Sequence, residues 1–183
     1  MLFLLVACNS NPNTITVAEL TEREEVILST TADQSFVFQF HREDDQSKEL
    51  SIWMEKYESG KLVGEKKNNI SLEVSETGTI IITMQDHQEI QQKSINLVIQ
   101  DQNGTNIASF HDTMEGLEIA ASLSGQPQND LIFNDEEVVI GYVAYTNESS
   151  ISAFHIDFYG ESESNKDELR KYDLVYLIKA QIK

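Results

Sequence analysis

The sequence predicts an all-β, mainly antiparallel fold: a β-sandwich with one or two short helices. Three observations carry that prediction. Apolar residues recur at period two in segment after segment, the spacing of strands that bury one face. The segments are short and are separated by Gly, Asn and Ser, the residues hairpin connections need. Only two prolines occur, Pro12 and Pro127, and both lie outside the alternating segments, where a missing N–H costs no ladder bond. An immunoglobulin-like arrangement is one topology such a pattern takes, although the Cys…Trp…Cys signature is absent.

In chain order, residues 35–41 place Phe36, Phe38 and Phe40 on one strand face. Residues 48–57 do the same with Leu50, Ile52 and Met54, leaving Trp53 and Tyr57 on the opposite face. At 70–75, Ile70, Leu72 and Val74 alternate with Ser71, Glu73 and Ser75. The β-branched run 79–84 reads as buried on both faces. Further strands are expected at 94–101, 105–111, 137–146, 153–159 and 172–182. In the last, Tyr172, Leu174, Tyr176, Ile178, Ala180 and Ile182 share a face. One core between two sheets should therefore hold Phe36, Phe38, Phe40, Leu50, Ile52, Leu174, Tyr176 and Ile178.

Turn chemistry connects these segments. Asn103-Gly104 predicts a type I′ hairpin, whose two central residues need positive φ. Ser59-Gly60 and Thr77-Gly78 are looser versions of the same signal. Polar runs at 42–47, 146–150 and 161–171 read as longer loops, the last with a helical turn at Asp167-Glu168-Leu169-Arg170. Thr16-Val17-Ala18-Glu19 and Asp86-His87-Gln88-Glu89 have the capping-box pattern and predict short helices after each. Residues 113–123 fit a helix or a strand.

The N-terminus carries a different message. Met1-Leu2-Phe3-Leu4-Leu5-Val6-Ala7 is an apolar run that ends on the single cysteine, Cys8. It is too short for a membrane-spanning helix, which needs about 20 residues. It has the length of a signal-peptide apolar region, roughly 7–15 residues. After Cys8 the chain turns polar at once, Asn9-Ser10-Asn11-Pro12-Asn13-Thr14, the composition of a flexible tether. Leu5-Val6-Ala7-Cys8 resembles the lipobox of bacterial lipoproteins. In that family the chain is cut before the cysteine, and a diacylglycerol on the thiol holds it at the extracytoplasmic face of the cell membrane. The resemblance covers these residues alone. It implies lipidation at Cys8 and a membrane partner through the lipid. No Lys or Arg precedes Arg23, so the basic region that opens a signal peptide is missing. Residues 1–7 thus read as a truncated signal peptide, 8–20 as a lipid-anchored polar tether and 21–183 as a single β-sandwich domain.

Composition excludes some functions. The chain has 31 Asp and Glu against 13 Lys and Arg, a formal net charge of −18. Such a field repels phosphate backbones, so no nucleic-acid partner is expected. One cysteine permits no intrachain disulfide. No Gly-x-Ser-x-Gly elbow, His-Glu-x-x-His pair or Gly-rich phosphate loop is present. His41, His87, His111 and His155 are scattered over different elements without metal-ligand spacing. His155-Ile156-Asp157 sets an imidazole and a carboxylate on one strand face. Oxygen ligands occur in Glu43-Asp44-Asp45, in Asn134-Asp135-Glu136-Glu137 and around Asp101–Asn106, but without the EF-hand order these read as solvated turns, so no cofactor is expected and Ca2+ is the alternative.

Aromatic residues are the remaining binding signal. Trp53, Tyr57, Tyr145 and Tyr159 are the candidate ligand-binding residues, since an outward aromatic gives a platform for a sugar ring or a protein surface. The expected function is a non-catalytic binding or interaction module of the bacterial cell envelope with a protein or glycan partner. The alternative is an extracytoplasmic hydrolase of wall or glycan material, which needs two carboxyls about 5–9.5 Å apart in a cleft.

Overall fold

The structure, a computed structural model, describes residues 13–42, 48–63, 68–114, 116–132, 136–154 and 165–183. The chain runs β1 (Thr14–Val17), α1 (Glu22–Thr31), β2 (Gln34–His41), β3 (Lys48–Glu58), β4 (Lys61–Leu62), β5 (Asn68–Val74) and β6 (Thr77–His87). After a 3-10 turn at Gln88–Ile90 come β7 (Gln92–Asp101), β8 (Gly104–Thr113), β9 (Ala121–Gly125), β10 (Leu131–Ile132) and β11 (Val138–Thr146). Helix α2 (Asn165–Leu169) and β12 (Leu174–Ile182) complete it.

The strands form two antiparallel sheets, the all-β sandwich the sequence predicts. The first has the order β10-β1-β2-β6-β7-β8. The second has the order β4-β3-β12-β11-β9, with β5 also paired to β3. Period two does the sorting. From the first sheet Phe36, Phe38, Phe40, Ile80, Ile82, Met84, Ile95, Leu97 and Ile99 point inward. They meet Leu50, Ile52, Met54, Leu174, Tyr176 and Ile178 of the second. Phe38, Leu50, Ile52, Leu174 and Ile178 are fully excluded from solvent. Burying such side chains is worth about 1.5–3 kcal/mol each, which is why the alternation specifies the register.

A second, smaller cluster lies on the outer side of the second sheet. Tyr142, Ala144, Val175 and Leu177, on the face away from the core, pack against Phe154, Leu169 and Tyr172 of the β11–β12 connection. The Tyr142 and Phe154 rings stack with centroids 4.0 Å apart, and Tyr172 meets Phe154 edge-on at 4.7 Å.

Several sequence expectations need correction. The box Thr16…Glu19 starts no helix, because Thr14–Val17 is a strand paired to β2 from Thr14↔His41 to Val17↔Phe38. Ile15, 1% exposed, supplies the reason: its burial in the core outweighs local capping. The box that forms is Thr21–Glu24, where the Glu24 amide donates to Thr21 Oγ1 and the Thr21 amide donates to Glu24 Oε2 at 2.8 Å. The first sheet therefore already includes Thr14–Val17, inside the 8–20 segment assigned to the tether, and the described body does not begin at residue 21.

Thr77-Gly78 is no turn but the start of β6. Gly78 pairs with Phe40, and a Cβ there would lie 2.4 Å from the Phe40 ring and 2.3 Å from the Gln100 carbonyl oxygen. The β7–β8 hairpin forms, but Asp101 pairs with Gly104, so its loop is Gln102-Asn103 and only Gly104 has positive φ. The mirror-image geometry belongs to Ser59-Gly60, with φ of 48° and 76°. On β6 only one face is fully buried; Ile81 and Thr83 are half-buried. After Asp86, β6 continues to His87 and yields only the 3-10 turn, while most of 113–123 is irregular until β9. Residues 151–154 lie outside any strand, and the rest of the expected strand at 153–159 lies outside the described residues. Tyr172 precedes β12 and joins the outer cluster instead of the core.

Candidate functional site

The strand register arranges the outward residues of the first sheet in rows. Val37, Ile81, Val98 and Ile107 form an apolar row across β2, β6, β7 and β8. On one side of it runs Ser35–Thr83–Asn96–Ser109, and on the other Gln39–Thr79–Gln100–Thr105, which Thr16 of β1 extends. Side chains bond along the first polar row. Asn96 Nδ2 donates to Thr83 Oγ1 at 3.1 Å, and Ser109 Oγ donates to Asn96 Oδ1 at 2.7 Å. Toward the β1 end, Thr14, Thr16, Gln39, His41, Thr77 and Thr79 edge an open depression of about 480 Å³. Toward the other end, Ser94 Oγ lies 2.8 Å from His87 Nε2 and 3.2 Å from His111 Nδ1. The register thus brings together two histidines that the sequence scatters.

No Asp, Glu, Lys or Arg stands at any of these outward positions of β1, β2, β6, β7 and β8. In a chain that is 24% charged with a net charge of −18, composition alone does not produce such a face. Hydroxyls and amides cover it, with one line of β-branched side chains through its middle. Along that line exposure rises from buried Val37 through half-buried Ile81 and Val98 to Ile107, 65% exposed.

The sequence-predicted aromatic residues go elsewhere. Trp53 and Tyr57 lie on the outer face of the second sheet, both bound to the buried carboxylate of Glu55. Trp53 Nε1 donates at 3.3 Å and the Tyr57 hydroxyl at 2.7 Å. Lys179 lies 3.1 Å from Glu55 and 3.5 Å from Glu137, so one ammonium joins two carboxylates. Burial, with Glu55 beside it, pushes the Tyr57 phenol well above its usual range. Trp53, 3% exposed, is not an open platform. Tyr145 is not one either: it is a core residue, set edge-on to Tyr176 at 6.3 Å. After the register shift between Val139 and Gly141 the odd-numbered residues of β11 face inward, so the Tyr145 ring fills space between the sheets. Cys8, Tyr159, His155, Asp157 and the Glu43-Asp44-Asp45 loop lie outside the described residues.

A polar network that the sequence reading missed closes one end of the core. Asp86, Lys93 and Asp112 stand in one inward row across β6, β7 and β8. Fully buried Lys93 is ion-paired to Asp86 and donates to the Tyr145 hydroxyl, while Tyr176 donates to Asp112. Lys56 of the other sheet reaches Asp112 at 3.0 Å and the Thr113 carbonyl at 2.9 Å. Burial lowers the Lys93 pKa against the opposing pull of Asp86 and its acidic neighbours, and it raises the Tyr145 and Tyr176 phenols. The available signal was parity: Lys93 shares the inward phase of Ile95, Leu97 and Ile99.

At the opposite end Asp101 locks the β7–β8 hairpin. Its carboxylate accepts from the Ser75 amide at 2.7 Å, the Ser75 hydroxyl at 2.6 Å and the Asn103 amide at 2.8 Å. Burial works to raise its pKa, and these hydrogen bonds outweigh it, leaving the carboxyl below its usual value. Among the described residues no group of three or more His, Cys, Asp and Glu side chains is placed to hold a metal ion. No described helix is long and apolar enough to cross a membrane.

No curated protein and no solved structure matches this chain. The family model of the YgaN domain matches residues 14–182, from the first residue of β1 to the last of β12, and the chain therefore belongs to the YgaN domain family.

Proposed function

We propose that this protein is a non-catalytic interaction module of the bacterial cell envelope, held at the extracytoplasmic face of the membrane by a lipid on Cys8. In this reading its protein or glycan partner docks on the outer face of the first sheet. The carrying observation is the lack of charge on that face in a chain of net charge −18. Depletion of charged residues marks the centres of protein interfaces, because an ion desolvated without a partner costs several kcal/mol. Hydroxyls and amides lose far less on contact, since they exchange water for a similar partner.

The lipobox resemblance of Leu5-Val6-Ala7-Cys8 supports the compartment. The six residues from Cys8 to Thr14 reach at most about 20 Å when fully extended. Thr14 shares its end of the sheet with His41, Thr77 and the Asp101–Gly104 hairpin. A lipid on Cys8 sets that end toward the membrane, so the uncharged face stands sideways and open to neighbours.

Two substitutions test the parts separately. In the native host, Cys8→Ala should move the protein out of the membrane fraction or leave it unprocessed; an unmodified Cys8 on wild-type protein would refute the anchor. Asn96→Lys should abolish capture of the partner from solubilised envelopes while the domain still melts cooperatively. Unchanged capture would rule out this face.

A further inference from the structure

We infer that the uncharged face of the first sheet docks a second copy of this chain, related by a two-fold axis that lies along the apolar row Val37–Ile81–Val98–Ile107. The inference rests on reading that face as the interaction surface and names its occupant. The argument is self-complementarity. A two-fold axis lying in the interface and running across the strands sets the apolar row against itself. It exchanges the two flanking rows, so that each residue four positions along a strand faces its counterpart in the other copy. Thr83 then meets Thr79, Asn96 meets Gln100, and Ser109 meets Thr105. On β6, β7 and β8 hydroxyl faces hydroxyl and amide faces amide, on β2 Ser35 meets Gln39, and each contact occurs twice, as an isologous interface requires.

Charge and area agree with this occupant. Two molecules of net charge −18 repel wherever carboxylates approach within the Debye length, about 8 Å at physiological ionic strength. The rows of β6, β7 and β8 bring no ion against the other copy; Glu25 and Asp33 border the face only at its β2 end, beside Ser35. A charged partner would leave its own ions desolvated here without a counter-ion. With strands about 4.8 Å apart and residues about 3.4 Å apart, the face from β1 to β8 measures about 20 Å by 30 Å. That is the scale of a standard interface, which buries about 800 Å² per partner.

Sedimentation velocity over a concentration series tests the proposal on the chain from Cys8 to Lys183. Wild type should form a reversible dimer that tightens as salt is raised, because screening removes repulsion and no interfacial ion pair is lost. Asn96→Lys should weaken association about tenfold or more, through an unpaired buried charge. Gln100→Glu should do the same. The double variant Asn96→Lys/Gln100→Glu should restore the dimer, since the two sites meet only across the axis; within one strand they stand about 13 Å apart. Circular dichroism confirms that each variant is folded. A wild-type monomer at all concentrations overturns the inference, as does a dimer indifferent to Asn96→Lys or a double variant that stays monomeric. If wild type is monomeric yet partner capture still depends on Asn96, the face is right and the second copy is wrong. If capture ignores Asn96, the face itself is wrong.

Discussion

On the outer side of the second sheet, Tyr142, Val175 and Leu177 lie beneath Phe154, Leu169 and Tyr172, and Lys179 there joins Glu55 and Glu137 in a charged cluster. On the outer side of the first, Thr79, Asn96, Gln100 and Ile107 carry no charge, and Ile107 lies 65% exposed. Both faces come from the same period-two strands, so secondary structure does not explain the contrast. The second sheet is covered by its own chain and uses its outward residues for stability. The first sheet keeps its outward residues uncharged and in regular rows, buried at Val37 and open at Ile107. On the proposed reading, a face that neither serves the core nor carries the charge typical of this chain is the one a partner contacts.

The largest expected effect lies on the covered face. Phe154→Ala removes a ring stacked on Tyr142 and edge-on to Tyr172, and should cost about 3–5 kcal/mol in denaturant unfolding. Ile107→Ala on the open face, measured on protein dilute enough to be monomeric, should change stability by about 0.5 kcal/mol or less. Equal costs in the monomer would mean that the first sheet is covered by its own chain, and the contrast would fail. Next in size is Glu55→Ala, which takes the acceptor from the Tyr57 hydroxyl and the carboxylate from Lys179. A buried group left unsatisfied makes about 1–3 kcal/mol the expected loss.

The sandwich was legible in the sequence because its core is built from strict alternation. Phe36, Phe38 and Phe40 against Leu50 and Ile52 left little freedom for another register. Local signals failed where tertiary burial outbid them: Thr16…Glu19 had the form of a cap, yet Ile15 had a place in the core. Tyr145 was misplaced because an aromatic residue reads the same from either side of a sheet until its phase on the strand is known. The open face was hidden for a different reason. Its residues are ordinary Thr, Ser, Asn and Gln, and only the pairing of β2, β6, β7 and β8 reveals that none of their outward neighbours is charged.

Alkaline pH sharpens the comparison further. Burial, with Glu168 nearby, pushes the Tyr172 phenol up to about 12, and burial likewise raises Tyr57 and Tyr142 on the same side of the sandwich. An unfolded tyrosine ionises near pH 10. Between those values the folded chain holds protons the unfolded chain has released, so this stabilisation is complete below about pH 10 and declines as pH rises toward 12. Lys93, lowered by its burial, acts in the opposite sense, because there the unfolded chain holds the extra proton. The raised phenols, joined by Tyr145 and Tyr176 in the core, outnumber it. Melting temperature should therefore fall above about pH 10, and Tyr172→Phe should make the fall shallower. No change in slope would show that the Tyr172 phenol contributes nothing to it.

The smallest stability effect carries the most information about function. Asn96 bonds Thr83 and Ser109 on a half-exposed surface, where water replaces a lost side-chain partner at little cost. Asn96→Ala should thus alter unfolding free energy by only about 0.5 kcal/mol. On the second sheet a substitution acts on stability first, since Glu55 and Phe154 are bound within their own chain. On the first sheet the order should reverse, with association or partner capture falling while the melt of the dilute monomer barely moves. Measuring both quantities on the same Asn96→Ala sample decides between a contact surface and a structural ladder. A loss of several kcal/mol would mean that the row Thr83–Asn96–Ser109 holds the sheet together, and the face would then need no partner to explain it.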